Sequence, residues 1–229
     1  MDNYSYIKRN YDSLVSEIAE YEARLSRKIK LVCVTKSGTD DELLALCRAG
    51  ARSIGENRPG ELARRGTLLS EAGLAPELHE IGNLQRNKVK LVVGRASLIH
   101  SLDNLALAEE IDKQSKKLGV ITPVLIEINS GREEAKGGVL PEEAEEFLSK
   151  VKELSSLSVQ GLMTMGPVCE DPEDSRPYFR LTKELFDKLS ADHGFEGDGI
   201  LSMGMSDSYR VAIEEGSTLV RVGRRLFVK

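Results

Sequence analysis

Short apolar runs alternate with amphipathic stretches along the whole chain. In the first stretch, residues 2–27, Ile7, Tyr11, Leu14, Ile18, Tyr21 and Leu25 recur at spacings of four and three, which puts them on one helix face. The first run follows at residues 29–36. Its unbroken block Leu31, Val32, Cys33 and Val34 suits a strand covered on both faces. Thr35-Lys36 closes the run, and Ser37-Gly38-Thr39-Asp40 reads as a loop ending in a helix cap. The alternation then repeats. Further strands are predicted over 52–54, 77–81, 97–101, 122–128, 159–163, 200–202 and 218–222. Helices are predicted over 40–50, from Pro59, over 84–92, from Asp103 or Asn104 to Leu118, and over 141–154, 173–191 and 207–215. Gly50 reads as a helix stop and Pro141 as a helix start.

This makes eight strands, each but the last followed by a helix, in 229 residues with no linker. That is the size of a TIM-type (β/α)8 barrel, and crossover handedness makes its sheet parallel. The expected fold is therefore α/β, one domain over residues 1–229. The N-terminal helix is expected to fill the place of the missing eighth helix. An open doubly wound sheet is the alternative, but no Gly-x-Gly-x-x-Gly follows the first strand.

Charge and cysteine usage narrow the functions. A net charge of −5 gives no global attraction to nucleic acid or to an anionic membrane. The local basic clusters, Arg64-Arg65, residues 86–90 and Arg224-Arg225, read as solvated or ion-paired. Cys33, Cys47 and Cys169 have no metal or redox spacing, and the first two sit on core patterns. The N-terminus does not resemble a signal peptide, and no apolar run approaches the ~20 residues needed to cross a bilayer. A cytoplasmic protein is expected. No apolar helix face stands out as unpartnered, so a monomer is expected as well.

A barrel of this type works from the carboxyl ends of its strands. Those positions hold Lys36, Asn57, His79, Gly82, His100, Asp103, Asn129, Met163-Thr164-Met165, Met203 to Ser206, Arg221 and Gly223. No close carboxylate pair suits glycoside hydrolysis, no ligand spacing suits a metal, and no Ser-His-Asp set can be placed. What remains is one lysine, one arginine from the last strand, and Gly/Ser-rich turns after strands seven and eight, where this fold seats phosphates. A lysine beside a phosphate seat suggests a phosphorylated aldehyde cofactor or a sugar. Each residue also has a plain reading. A strand-end lysine is more often a surface residue, His79 and His100 suit hydrogen-bonded structural roles, and the methionines suit core filling.

The motifs at these positions resemble the pyridoxal phosphate homeostasis protein family. They are LVCVTK, IGEN ending at Asn57, H-x-I-G-x-L-Q-x-N-K from His79 to Lys88, IHSLD ending at Asp103, and the loop from Asn129 to Lys136-Gly137-Gly138. GLMTM ending at Met165, RPYF, LSMGMS ending at Ser206, and VRVG ending at Gly223 continue the match in order from about residue 29 to 227. The resemblance implies a barrel like the alanine racemase N-terminal domain carrying pyridoxal 5'-phosphate (PLP) as a Schiff base on Lys36. It further implies that Arg221 faces the pyridine nitrogen. Ser206, Gly223 and the Arg224 amide would hold the phosphate, and Asn57, Met165 and Met203 would line the pocket. The chain departs from the pattern at three places. Arg58-Pro59 follows IGEN where an aromatic and an aliphatic residue are common, and LFVK replaces a Phe-Gly end. Arg224 stands where a small hydroxyl residue is common, so that phosphate contact is lost or replaced by a guanidinium.

The resemblance implies a role in vitamin B6 homeostasis, with PLP-dependent apoenzymes as candidate partners. A PLP-dependent amino-acid racemase is the alternative. Racemisation needs a second base on the opposite face, which alanine racemases take from a second domain of a partner subunit. The sequence stops soon after its eighth strand, and no such domain is expected. A guanidinium at the ring nitrogen also weakens the ring as an electron sink, although alanine racemases share that feature. A scaffold that has lost its ligand is a third class, and the retained Lys36 argues against it.

Overall fold

The computed structural model describes residues 4–133, 136–167 and 169–229. Positions 2 and 3 of the first expected helix, 134 and 135 of the Asn129–Gly138 loop, and 168 of the loop after the sixth strand lie outside the described residues. Eight parallel strands close into a barrel in sequence order: β1 (Lys30–Val34), β2 (Ser53–Glu56), β3 (Glu77–Glu80), β4 (Leu98–Leu102), β5 (Thr122–Glu127), β6 (Leu157–Met163), β7 (Ile200–Ser202) and β8 (Leu219–Val222). Closure is made by β8 on β1, which sets Val32 opposite Arg221.

The helices are α1 (Ser5–Leu25), α2 (Asp40–Arg48), α3 (Pro59–Glu71), α4 (Leu105–Leu118), α5 (Ala144–Lys152), α6 (Arg176–His193) and α7 (Tyr209–Glu214). Local chemistry sets their starts. Thr39 caps α2, and Glu42 reaches back to the Thr39 amide to complete a capping box. Asn104 caps α4, with its side chain accepting from Leu107 N. Two predicted helices differ. The span 84–92 is a 3-10 helix over Arg86–Leu91, and the helix expected at 207–215 is only the six residues of α7. In the span 141–154, a 3-10 turn over Pro141–Glu143 leads into α5.

Strand alternation sorts the side chains into two cores. Val32, Leu98, Leu125, Met163 and Leu219 meet inside the barrel. Cys33, Ile54, Val220 and Val222 face outward into a core shared with Ile7, Leu14 and Ile18 of α1. The N-terminal helix therefore covers the join between β8 and β1, as its sequence position suggests. Tyr6 is tied to Glu42 of α2, and Asn10 holds the carbonyls of Leu226 and Val228 near the C-terminal end. Among the described residues no helix is long and apolar enough to cross a membrane.

Candidate functional site

The inner face of the barrel changes character towards its carboxyl end. Two residues beyond apolar Leu219 comes Arg221, only 4% exposed. Its guanidinium donates to the Ser202 carbonyl at 2.9 Å, to the Ser202 hydroxyl, and to the Thr164 carbonyl at 3.0 Å. Burial pushes its pKa down to about 10, with Glu127 pulling the other way, so it stays charged at neutral pH. Glu127, at the end of β5, is a counter-charge felt by Arg221. Burial pushes its carboxyl up to about 7, reinforced by Asp103 and opposed by Arg221. A buried charged floor with one acid poised near neutrality is unusual for a structural core and typical of a working site.

Lys36 stands just past β1, exposed, inside a turn closed by Gly38 N on the Thr35 carbonyl at 2.9 Å. Among the described residues its ammonium has no hydrogen bond or ion pair, in a chain where most lysines are paired. The turn itself is held from beneath by Arg65. That guanidinium donates to the Thr35 carbonyl at 2.8 Å, to the Gly38 carbonyl at 2.6 Å, and to Glu56 at 2.6 Å. The Thr35 hydroxyl also donates to Glu56. Two carbonyls that bracket Lys36 are thus fixed by one planar fork, a geometry a lysine cannot copy. Arg64-Arg65 is ion-paired, as its sequence suggests, Arg64 with Asp40 and Glu61 and Arg65 with Glu56. The hold of Arg65 on the turn is not read there; its signal is that Arg65 shares the buried face of α3 with Leu62 and Leu69.

After β8, the amides of Gly223 and Arg224 both point at the Ser206 hydroxyl oxygen, at 3.2 Å each. Gly223 is required there, because a Cβ would sit 2.9 Å from the Val34 carbonyl oxygen. Two converging amides and a hydroxyl form an anion nest. The nest is made by turns: α7 starts only at Tyr209 and is too short to contribute an end charge. Asp207 does not cap that helix as its sequence position suggests; it pairs with the Arg224 guanidinium at the rim.

The remaining candidates scatter around the mouth. Asn57 follows β2, and its buried Oδ1 has no hydrogen-bond partner. Met165 is 37% exposed after β6. Met203 is 0% exposed and packs in the outer core with Leu201, Val211 and Ala212, so the structure does not bring it to the cup. Lys36, Ser206, Arg221, Gly223 and Arg224 lie on or just after β1, β7 and β8, which are neighbours in the ring, and Ser206 is bonded to the Gly223 and Arg224 amides. A surface depression of about 710 Å3 lined by Gln85, Arg86, Asn87, Lys90 and Glu110 lies on the outer ring. None of the strand-end chemistry faces it. Among the described residues no group of three or more His, Cys, Asp or Glu side chains is arranged to hold a metal.

These features fit a phosphorylated aldehyde. An unpaired amine, a nest of amides sharing one hydroxyl, an orphaned amide oxygen and a donor-bearing floor are the groups such a ligand would complete.

A family model described as "Alanine racemase, N-terminal domain" matches residues 9–228. The pyridoxal phosphate homeostasis protein of Aquifex aeolicus is 42% identical over 93% of this chain and 92% of its own length. Its namesake in Helicobacter pylori is 35% identical over 96% of this chain and 97% of its own length. Among solved structures, PipY of Synechococcus elongatus with PLP bound matches at TM-score 0.84 and 26% identity, covering 97% of this chain and 100% of PipY. Alanine racemase of Clostridium difficile matches at TM-score 0.74 and 19% identity over 100% of this chain and 56% of its own, a likeness of fold alone.

Proposed function

The chain belongs to the alanine racemase N-terminal domain family, and on that premise we propose that it is a single-barrel PLP-binding protein of intracellular vitamin B6 homeostasis. PLP is held as a Schiff base on Lys36. When bound, it supplies an aldehyde that captures primary amines and a ring that withdraws electrons. What supports this reading is a turn around Lys36 whose two carbonyls are fixed by Arg65, at the end of the strand that neighbours β8, after which the Gly223 and Arg224 amides converge on Ser206.

Each residue has a part. Arg65 and Glu56 hold the turn so that the amine is aimed into the cup. Ser206 and the amides of Gly223 and Arg224 take the phosphate. Arg221 can only donate, so it binds a bare ring nitrogen and does not protonate it. Asn57 and Met165 flank the ring, and Met203 supports the turn from behind. The protein works in the cytoplasm as a monomer, and PLP-dependent apoenzymes are its partners.

The racemase reading keeps one point in its favour. Glu127 stands on β5, across the ring from β1, with a pKa near that of a working base. A carboxyl lodged beside Arg221 on the floor serves equally to balance that charge, and the relatives' names favour the carrier. Two measurements test the proposal. The isolated protein should be yellow, and borohydride should fix one pyridoxyl group on Lys36; a label on Lys88 or Lys136 would refute the assignment. A chiral assay should show no alanine racemisation, and turnover of about 1 per second or faster would install the racemase reading.

A further inference from the structure

A row of polar side chains runs through the barrel from its amino-terminal end to the floor of the cup. Glu77, the first residue of β3, has a side chain 47% exposed and binds Lys30 at 2.7 Å and Ser53 at 3.0 Å. His79 Nε2 lies 3.3 Å from the same carboxylate oxygen. His79 Nδ1 lies 2.9 Å from His100 Nε2, and His100 Nδ1 lies 3.0 Å from the Ser202 hydroxyl. The row crosses the interior from β4 to β7 and ends on Arg221, which donates to that hydroxyl.

Donor and acceptor counting fixes the direction of every proton. Both histidines are buried, at 1% and 0% exposure, and burial keeps both neutral. A carboxylate only accepts, so His79 carries its proton on Nε2 and its Nδ1 is bare. His100 must then donate from Nε2, which leaves its own Nδ1 bare. The Ser202 hydroxyl must donate to that nitrogen, which turns its lone pair towards Arg221.

We propose that Glu77 is a positioning residue for Arg221, acting through His79, His100 and Ser202 across the length of the barrel. This inference rests on the PLP reading only in giving Arg221 a ring nitrogen to meet. The proton order in the row belongs to the protein without ligand.

The test has two parts. Side-chain nitrogen-15 spectra of the ligand-free protein should show His79 and His100 each as one tautomer with a bare Nδ1. In Glu77→Ala, water replaces the carboxylate and can donate as well as accept, so both rings should become tautomer mixtures and the Arg221 nitrogens should shift. Lys30→Ala leaves the acceptor in place and should change neither. If Glu77→Ala leaves His100 and Arg221 untouched, the proposal is overturned. In the second part, PLP is compared with an analogue carrying carbon in place of the ring nitrogen. Ser202→Ala should weaken PLP binding about tenfold, the scale of a hydrogen bond to a charged group, and leave the analogue's affinity in place. Equal losses for both ligands overturn the proposed action on Arg221. A native protein that does not distinguish the two ligands refutes the ring-nitrogen assignment, and the tautomer spectra still decide the proton order by themselves.

Discussion

Ser206 shows how a single hydroxyl serves two states. Its oxygen accepts the amides of Gly223 and Arg224, which leaves its proton to donate to a second partner. Removing it deletes one donor to the phosphate and at the same time releases two amides for that phosphate. Ser206→Ala should therefore weaken PLP binding by about 1.5 kcal/mol, the lower end of the range for a hydrogen bond to a charged partner. Unphosphorylated pyridoxal should bind the variant as before, and titrations of both ligands by absorbance check the difference. The Arg224 side chain is already engaged by Asp207 at the exposed rim, so its removal should matter less than that of Ser206.

The element that presents Lys36 is the turn between β1 and α2, and it is held by a neighbouring helix. Arg65 on α3 reaches under the turn to Thr35 and Gly38 and pairs with Glu56 at the end of β2. The capping box of Thr39 and Glu42 fixes the far side of the same turn. Arg65→Lys keeps the charge and loses the fork, so at most part of these contacts can re-form. Leaving one or both of the Thr35 and Gly38 carbonyls without a donor should cost about 1–3 kcal/mol on denaturation. The rate of imine formation with pyridoxal should fall as well, because the amine is no longer aimed. A variant that loses stability but keeps the wild-type rate would show that Arg65 supports the fold and not the site.

For the whole molecule, two buried carboxyls set an unusual pH response. Burial raises Glu80 to about 8, with Glu56 adding to it, and raises Glu127 to about 7. Unfolded, both ionise near the ordinary carboxylate value of about 4.3. Between that value and their folded pKa the native state binds more protons than the unfolded state, so their stabilisation is full at acid pH and is lost as pH rises. Glu17 acts in the opposite sense. The Arg210 hydrogen bond, aided by Tyr209 and Arg225, holds it at about 2, so its contribution is lost as pH falls towards that value. Glu80→Gln removes the first effect. The melting temperature of that variant should exceed the native one increasingly as pH rises from about 5 to about 9. A constant offset across that range would count against a buried, protonated Glu80.

The sequence determined the order and the kind of the elements, because burial on both faces leaves a mark on every strand and a stripe on every helix. The run from Leu31 to Val34, the cap at Thr39 and the stripe of α1 could be read one residue at a time. It also pointed to the candidate site through positions that are local in sequence: Lys36 at a strand end, and Gly223 where the backbone approaches Val34. The 3-10 helix over Arg86–Leu91 was less legible, because a period of three and one of 3.6 hardly separate within six residues. Only the closed barrel decided the rest. His79 and His100 become a pair, and Ser202 a bridge, because β3, β4, β7 and β8 point their inner faces at one axis. Met203 turns into the outer core because alternation along β7 is set by Ser202 facing in. Arg65 holds the Thr35 carbonyl across 29 intervening positions in sequence. These relations depend on which strand lies beside which, and periodicity along a single strand carries no information about its neighbour.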